Sequence, residues 1–502
     1  MKKISFFGLV IVAFMAMAIF IVSCSQPLFP QGSNYPPEGG GGNPGNEGGD
    51  IPGWNTDGSG PCGRMTVAEQ LEWLRNNAAA GTEWNVWAWM EPYETIYVMQ
   101  DIHGVGGPGT DIIVNLSTFT GYNRRKLALG ASGSMRMLNV QGDNTLILEN
   151  IVLQGRFSNF ESLVAVHAGT LEKRSNSKIR ENGGPIGGAA VSITAGASFT
   201  MSGNALITEI FPTAVVVTTD SVLEMRDTAS ITHDRNEANY HGVRLENNST
   251  LIMRNSTHIS GHRQGGLLSS MSTIRMYDSA EIMYNNASGS PFNWNVYLTD
   301  SDLIMRGNVQ IRDSDTGGVH LRRSRLCMHN TARIHSNNDE GVRALESSTV
   351  NMYNTARIHS NNGGGVRALG SSTINMRNDA SIDDNGDPTS GIGIGGVLLN
   401  DSRLYMHHDA VRIKGNFSAS EGGGVRLANN SALIIHGGLI LGDNHPNPAE
   451  GNQATGDGNA LYIAGGSVSY GPPPFPAFNV SGGSPTLPKD NTVGYLGSGL
   501  IF

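Results

Sequence analysis

Between about residues 198 and 444 the same short passage is written again and again, and this repetition restricts the architecture more than any other feature of the chain. Its clearest copy runs Gly341-Val342-Arg343-Ala344-Leu345, then Ser348-Thr349-Val350-Asn351-Met352-Tyr353-Asn354, then Ala356-Arg357-Ile358-His359-Ser360-Asn361. One position returns as Met201, Met225, Met253, Met276, Met305, Met328, Met352, Met376 and Met406, spaced 23 to 30 residues apart, with Ile435 in the last copy. Self-similarity at this period means stacked supersecondary units, each touching only its neighbours. A single unit has too few large apolar side chains to offset the entropy of ordering it, so the units must form an array.

Within a unit, alternation of period two marks three short strands. Val342 and Ala344 face one way and Arg343 the other; Val350 and Met352 point in while Asn351 and Tyr353 point out; Ala356 and Ile358 point in. That periodicity excludes a helix. Gly-rich or Asn-Asn punctuation, as at Asn361-Asn362-Gly363-Gly364-Gly365, separates successive units. Asn337, Asn361, Asn385 and Asn416 each fall three residues after the last core isoleucine, and are expected to align as a ladder of amides.

The remainder of the 502 residues frames this array. Lys2-Lys3, an apolar run from Ile4 to Ile21, and Val22-Ser23-Cys24 resemble the bacterial lipoprotein signal (residues 1–24), in which the cysteine is lipidated after cleavage; an uncleaved transmembrane helix is the alternative. The resemblance implies an anchor at Cys24 in the cell envelope, and Ser25 after it is compatible with outer-membrane sorting to the cell surface. Residues 25–61, rich in Gly, Pro, Asn and Ser, read as a flexible tether. Thr66-Val67-Ala68-Glu69 is a capping box opening a short amphipathic helix at 66–78, and Val86, Ala88 and Met90 alternate as an early strand, so 62–90 is read as a cap. Repeats are expected over 91–470, and a C-terminal cap or tail over 471–502. Cys24, Cys62 and Cys327 show no disulfide or zinc spacing. A net charge of −9 argues against nucleic-acid binding.

The Gly-Gly-Val openings and Ile-x-x-Asn closings around three strands are similar to right-handed parallel β-helix repeats, in particular those of bacterial surface lipoproteins. They are also distantly similar to the repeats of polymorphic outer-membrane proteins. The likeness covers roughly 90–470 and implies an all-β solenoid of ten to twelve coils. It departs from the second group in carrying Ile where that group has Phe, and in lacking the stretch that would form a membrane barrel. The leucine-rich repeat is the rival fold, disfavoured because no helical segment separates the strands.

Two outward rows are candidates for function. One follows the core methionine: Arg226, Arg254, Tyr277, Arg306, His329, Tyr353, Arg377, His407 and His436, with Arg306, His329, Tyr353, Arg377 and His407 as the expected ligand strip. The other holds Arg244, His320, Arg343, Arg367 and Arg426. Either is an ordinary solvated sheet face, or a basic and aromatic strip that holds an extended anionic glycan by charge and ring stacking. Asp383-Asp384 and Arg412-Ile413-Lys414 resemble two polygalacturonase motifs, which would imply paired acid and base carboxylates with cations for a substrate carboxylate. The Asn-Thr-Asp and Gly-His-Gly elements of that family are missing in matching order, which makes Asp383, Asp384, Arg412 and Lys414 weak catalytic candidates. Asp300, Asp302, Asp313 and Asp315 are the other carboxylate concentration, and Trp84, Trp87 and Trp89 the one tryptophan cluster.

The expectation is therefore a lipid-anchored surface β-helix, without cofactor or metal, that binds polysaccharide or host glycan in adhesion. A polysaccharide lyase or hydrolase, or a passive spacer, are the alternatives.

Overall fold

The structure, a computed structural model, describes residues 136–470 apart from 142–144, 150, 184–186, 212, 234–240, 286–293 and 444–445. It also describes the backbone of strands at Glu83–Asn85, Thr95–Val98, Ile102–His103, Asp111–Asn115, Arg125–Leu129, Val493–Leu496 and Gly499–Ile501. The chain is an all-β parallel solenoid. A typical coil contributes Glu340–Leu345 to a first face, Thr349–Met352 to a second and Arg357–His359 to a third. The next coil lies on it in parallel register, with Val342 beside Val366, Val350 beside Ile374 and Ile358 beside Ile382. All the side chains expected to point inward, Val342, Ala344, Val350, Met352, Ala356 and Ile358, are fully buried. Stacking places each beside its own counterpart one rung away, so every coil completes its neighbour's core.

First-face strands form one 14-stranded sheet. Those of the second and third faces belong to a single 29-stranded sheet, because Arg403–Lys414 and Ser431–Ile440 run unbroken across the corner that elsewhere separates these faces.

Three columns of small polar residues make the corners. Between the first and second faces, the backbone N–H of Ser272, Ser301 and Ser324 each donates to the hydroxyl of the serine one coil on, at 3.1 Å. Between the second and third, Asn330, Asn354 and Asn378 take left-handed φ of 58 to 61°, a conformation Asn tolerates better than most residues. Between the third and first runs the expected asparagine ladder. Asn337, Asn361, Asn385 and Asn416 each pass an amide N–H to the next Asn Oδ1 at 2.8 to 2.9 Å, and Asn452 extends the column by one. Each amide also satisfies backbone carbonyls, as Asn361 does for Ile334 and His359. The glycine that follows is forced by this ladder: a Cβ on Gly341 would lie 2.6 Å from Asn361 Nδ2 and 2.7 Å from Ile358 Cγ2.

At the C-terminal end, Val493–Leu496 pairs antiparallel with Gly438–Ile440, and Gly499–Ile501 pairs with it in turn. Further parallel growth of the third face stops there, which covers a sheet edge. The signal segment with Cys24, the tether, the 66–78 helix and the 86–90 strand lie outside the described residues, as do the side chains of the tryptophan cluster. A strand at Glu83–Asn85 pairs with Asp111–Asn115 just before that region. Among the described residues the helical content is one 3-10 turn, Pro448–Glu450.

Candidate functional site

The residue after each core methionine sits at the end of a second-face strand, just before the asparagine corner. Strand register puts Tyr277 beside Arg306 and Arg306 beside His329; Met328, Met352, Met376 and Met406 are successive partners, which carries the column on through Tyr353, Arg377 and His407. These are six adjacent rungs, spanning roughly 24 Å at about 4.8 Å per rung. The order is interrupted at the C-terminal end. His407 pairs with Gly437 rather than His436, because the chain carries extra residues from His407 to Ala410 and the register slips there. The His407 and His436 rings consequently meet edge-on at 5.5 Å.

Charge divides this column. Arg226 and Arg254 are both bound to Glu224, at 2.5 and 3.0 Å, and the pair of cations holds the Glu224 carboxyl below its ordinary range. Arg254 additionally lies over the Tyr277 ring at 4.7 Å. Further along, the middle position of the strand is Asn351 and Asn375 instead of a glutamate, and these two amides bond to each other at 2.9 Å. Among the described residues no carboxylate forms an ion pair with Arg306 or Arg377 on this column, nor with Arg275 or Arg403 elsewhere on the second face. Cys327 occupies the Asn351 slot one coil earlier, as its place in the repeat implied, and receives a long contact from Asn351 Nδ2 at 3.6 Å.

The rings of the column stack on one another. His329 and Tyr353 lie face to face, 4.6 Å apart and 7° from parallel. Each ring covers one face of the other, and with the ring planes set across the axis a ligand running along it meets ring edges: imidazole nitrogens and a phenol hydroxyl. The column is a ladder of hydrogen-bonding groups punctuated by guanidinium charge. The same stacking recurs as Tyr297–His320 on the first face and His335–His359 on the third, at 4.4 and 4.9 Å, and follows from the rung spacing.

The second candidate row is self-neutralised. Arg244 pairs with Glu246 at 3.2 Å, Arg426 with Glu421 at 3.4 Å, and Arg343 and Arg367 with the buried Glu340 at 2.5 and 2.6 Å. Burial raises the Glu340 carboxyl, and Asp339 adds to the effect. His320 is packed between Tyr297 and Trp294; burial, then Arg343 and Arg322, push it down to about 4.

The weak catalytic candidates are brought together on the third face, where Asp383 is the register partner of both His359 and Lys414. They do not form an open acid and base pair. Asp383 is fully buried, chelated by Arg357 and bonded by Ser381 Oγ at 2.8 Å. Asp384 is turned out at a corner with φ of 55°, its carboxyl raised by partial burial and by Asp383. Lys414 pairs with Glu450 at 3.2 Å, and Arg412 Nη1 donates to the Val411 carbonyl at 2.8 Å.

One charged cluster escaped sequence reading. Arg322, Arg323 and Arg325 converge at the serine corner, beside a shallow depression of about 550 Å³. Arg323 chelates Asp300, Arg325 chelates Asp302, and Arg322 forks onto Glu346. Two acids of the Asp300–Asp315 concentration are therefore matched by arginine, and Asp313 likewise pairs with Arg312. The signal was present as acids 23 or 24 residues from each arginine, one coil away. Among the described residues no group of His, Cys, Asp and Glu side chains has the arrangement to hold a metal ion.

No known protein family matches the chain, and no curated protein does. Among solved structures it is similar to the A-modules of the mannuronan C-5 epimerases AlgE4 and AlgE6 of Azotobacter vinelandii, at 12% and 14% identity. Each alignment covers 76% of this chain and 91% of the module, with TM-scores of 0.26 and 0.25. Overlap this low transfers neither activity nor site to this chain.

Proposed function

We propose that the solenoid is a non-catalytic binding scaffold, presented on the cell surface by a lipid at Cys24, whose second face holds an extended anionic glycan. The observation that carries this reading is the set of arginines on that face, Arg275, Arg306, Arg377 and Arg403, which among the described residues have no carboxylate partner, while the arginines of the competing first-face row and of the serine corner have one. An unmatched guanidinium on a rigid face is available for bidentate bonds to carboxylate or sulfate. A polymer along the axis meets the edges of His329 and Tyr353 between two fixed charges, Arg306 and Arg377, about 14 Å apart on the rung spacing.

The test is a glycan array with the parent and with a variant carrying Arg306, His329, Tyr353, Arg377 and His407 changed to Ser, circular dichroism confirming that both are folded. Acidic-glycan binding confined to the parent, with no shortened products, supports the reading. Equal binding by both removes the strip, and product formation would redirect attention to Asp384. Metabolic labelling with a radioactive fatty acid, lost in Cys24→Ser, tests the anchor.

A further inference from the structure

The strip alternates two kinds of cationic group. A guanidinium is a permanent charge, whereas an imidazole can gain or lose a proton in the physiological range. Each imidazole is placed directly beside one of the arginines, His329 next to Arg306 and His407 next to Arg377. On its other side His329 meets the Tyr353 ring. Arg333 stands across the asparagine corner, on the third face. His407 is faced by Tyr405 at 5.7 Å and by His436, with Asp409 and Asp379 at the adjoining corner. The guanidinium beside each ring opposes a second positive charge, and so does burial. His329 is held below the ordinary imidazole range by burial and then Arg306, and His407 is pushed down to about 4 by burial, Arg377 and His436.

An anion laid along the column reverses that balance. It neutralises the guanidinium that suppresses protonation, and it supplies the acceptor that a protonated ring would bond. We propose that anionic-polymer binding on this column is coupled to proton uptake at His329 and His407, making the strip a weak site at neutral pH and a stronger one in mildly acidic surroundings. The inference rests on the glycan-binding reading above and adds its regulation. By linkage, the direction is fixed: whatever raises the affinity of these rings for protons is itself bound more tightly as pH falls, by at most about tenfold per pH unit for each proton taken up. Sequence alone could not suggest this, since it depends on which arginines are left without a carboxylate.

The test is calorimetric titration of the full chain with polygalacturonate, neutral dextran serving as blank, at about pH 7.5 and about pH 5.5, in buffers of different ionisation enthalpy. Buffer-dependent heats at the lower pH give net proton uptake, and the affinity there is expected to be roughly tenfold higher. His329→Asn combined with His407→Asn should abolish the uptake, while His408→Asn, an exposed imidazole outside the column, should retain it. Arg377→Gln should raise the titration midpoint of His407 followed by NMR in the unliganded protein, a readout that needs no binding. Binding without proton uptake, or uptake that survives the double variant, overturns the inference and leaves the glycan reading standing. Absence of binding at both pH values overturns both.

Discussion

Two stretches of the same second-face column, built by the same strand in the same slot, end in opposite electrostatic states. At Arg226 and Arg254 a neighbouring Glu224 takes both charges; in the same slot Arg377 has Asn375 and Arg306 has Ile304, with Arg275 one coil earlier, and among the described residues no carboxylate pairs with either guanidinium. The third corner also changes along the axis. In the C-terminal stretch Asn337 to Asn452 form an unbroken amide ladder, whereas earlier the column passes through His262, whose backbone N–H bonds Asn285 Oδ1 at 3.0 Å. A repeat fixes where a side chain stands. Its neighbour one rung or one slot away fixes what it can do.

The largest effect is expected where the regular stretch is most cooperative. Asn361→Ala removes the acceptor for the Asn337 amide at 2.8 Å and for its backbone N–H, and leaves buried carbonyls unmatched. It should cost about 3 kcal/mol in denaturant unfolding, against under about 1 kcal/mol for the exposed Asn362→Ala; equal costs would mean the ladder contributes nothing special. Next, Asn351→Glu with Asn375→Glu reproduces the Glu224 arrangement beside Tyr353 and Arg377. Polyanion affinity should fall roughly tenfold or more, with a weaker salt dependence; an unchanged salt slope would show that Arg377 is not a contact.

A third change addresses the irregular stretch. His262 and His241 are kept neutral by burial, down to about 3 and about 4. The unfolded chain binds their protons near 6.5 and the folded chain does not, so stability should be complete above that value and decline as pH falls from about 6.5 toward 4. His262→Asn, which installs the ladder residue, should lower the acid sensitivity of the melting temperature without altering it near pH 8. Melting curves that stay parallel over that range would place the acid sensitivity elsewhere. The smallest effect belongs to Glu224→Gln, which frees Arg226 and Arg254. Stability should change by less than about 1 kcal/mol because the pair is near the surface, while polyanion affinity should rise a few-fold. A loss of affinity would argue against an electrostatic strip.

Much of the fold was written in the chain because a solenoid turns local spacing into global position. The inward Val, Met and Ile, the outward Arg and Tyr, and the alignment of Asn337, Asn361, Asn385 and Asn416 follow from counting residues, since each coil can stack only on the next. The extra residues at His407–Ala410 mark where counting fails: an insertion at a corner can be looped out or absorbed into a strand, and here it was absorbed, shifting His407 onto Gly437. The candidate site was half legible. Its residues were identifiable as a row, but whether rings offered faces or edges, and which arginines kept a free charge, were not.

Residue spacing is enough to dictate the coil, its three faces, the buried and exposed sets and the asparagine corner, because period-two alternation and a fixed repeat length leave one economical way to bury the apolar side chains. The chemistry of the surface is settled by the stacking of the coils in three dimensions. Partners such as Glu340 with Arg367, Asp383 with Arg357 and Asp300 with Arg323 are 23 to 27 residues apart in sequence, and whether they meet depends on rotamer and corner geometry rather than on spacing. Charge on a β-solenoid is settled between rungs, where each side chain answers to the coil above and the coil below.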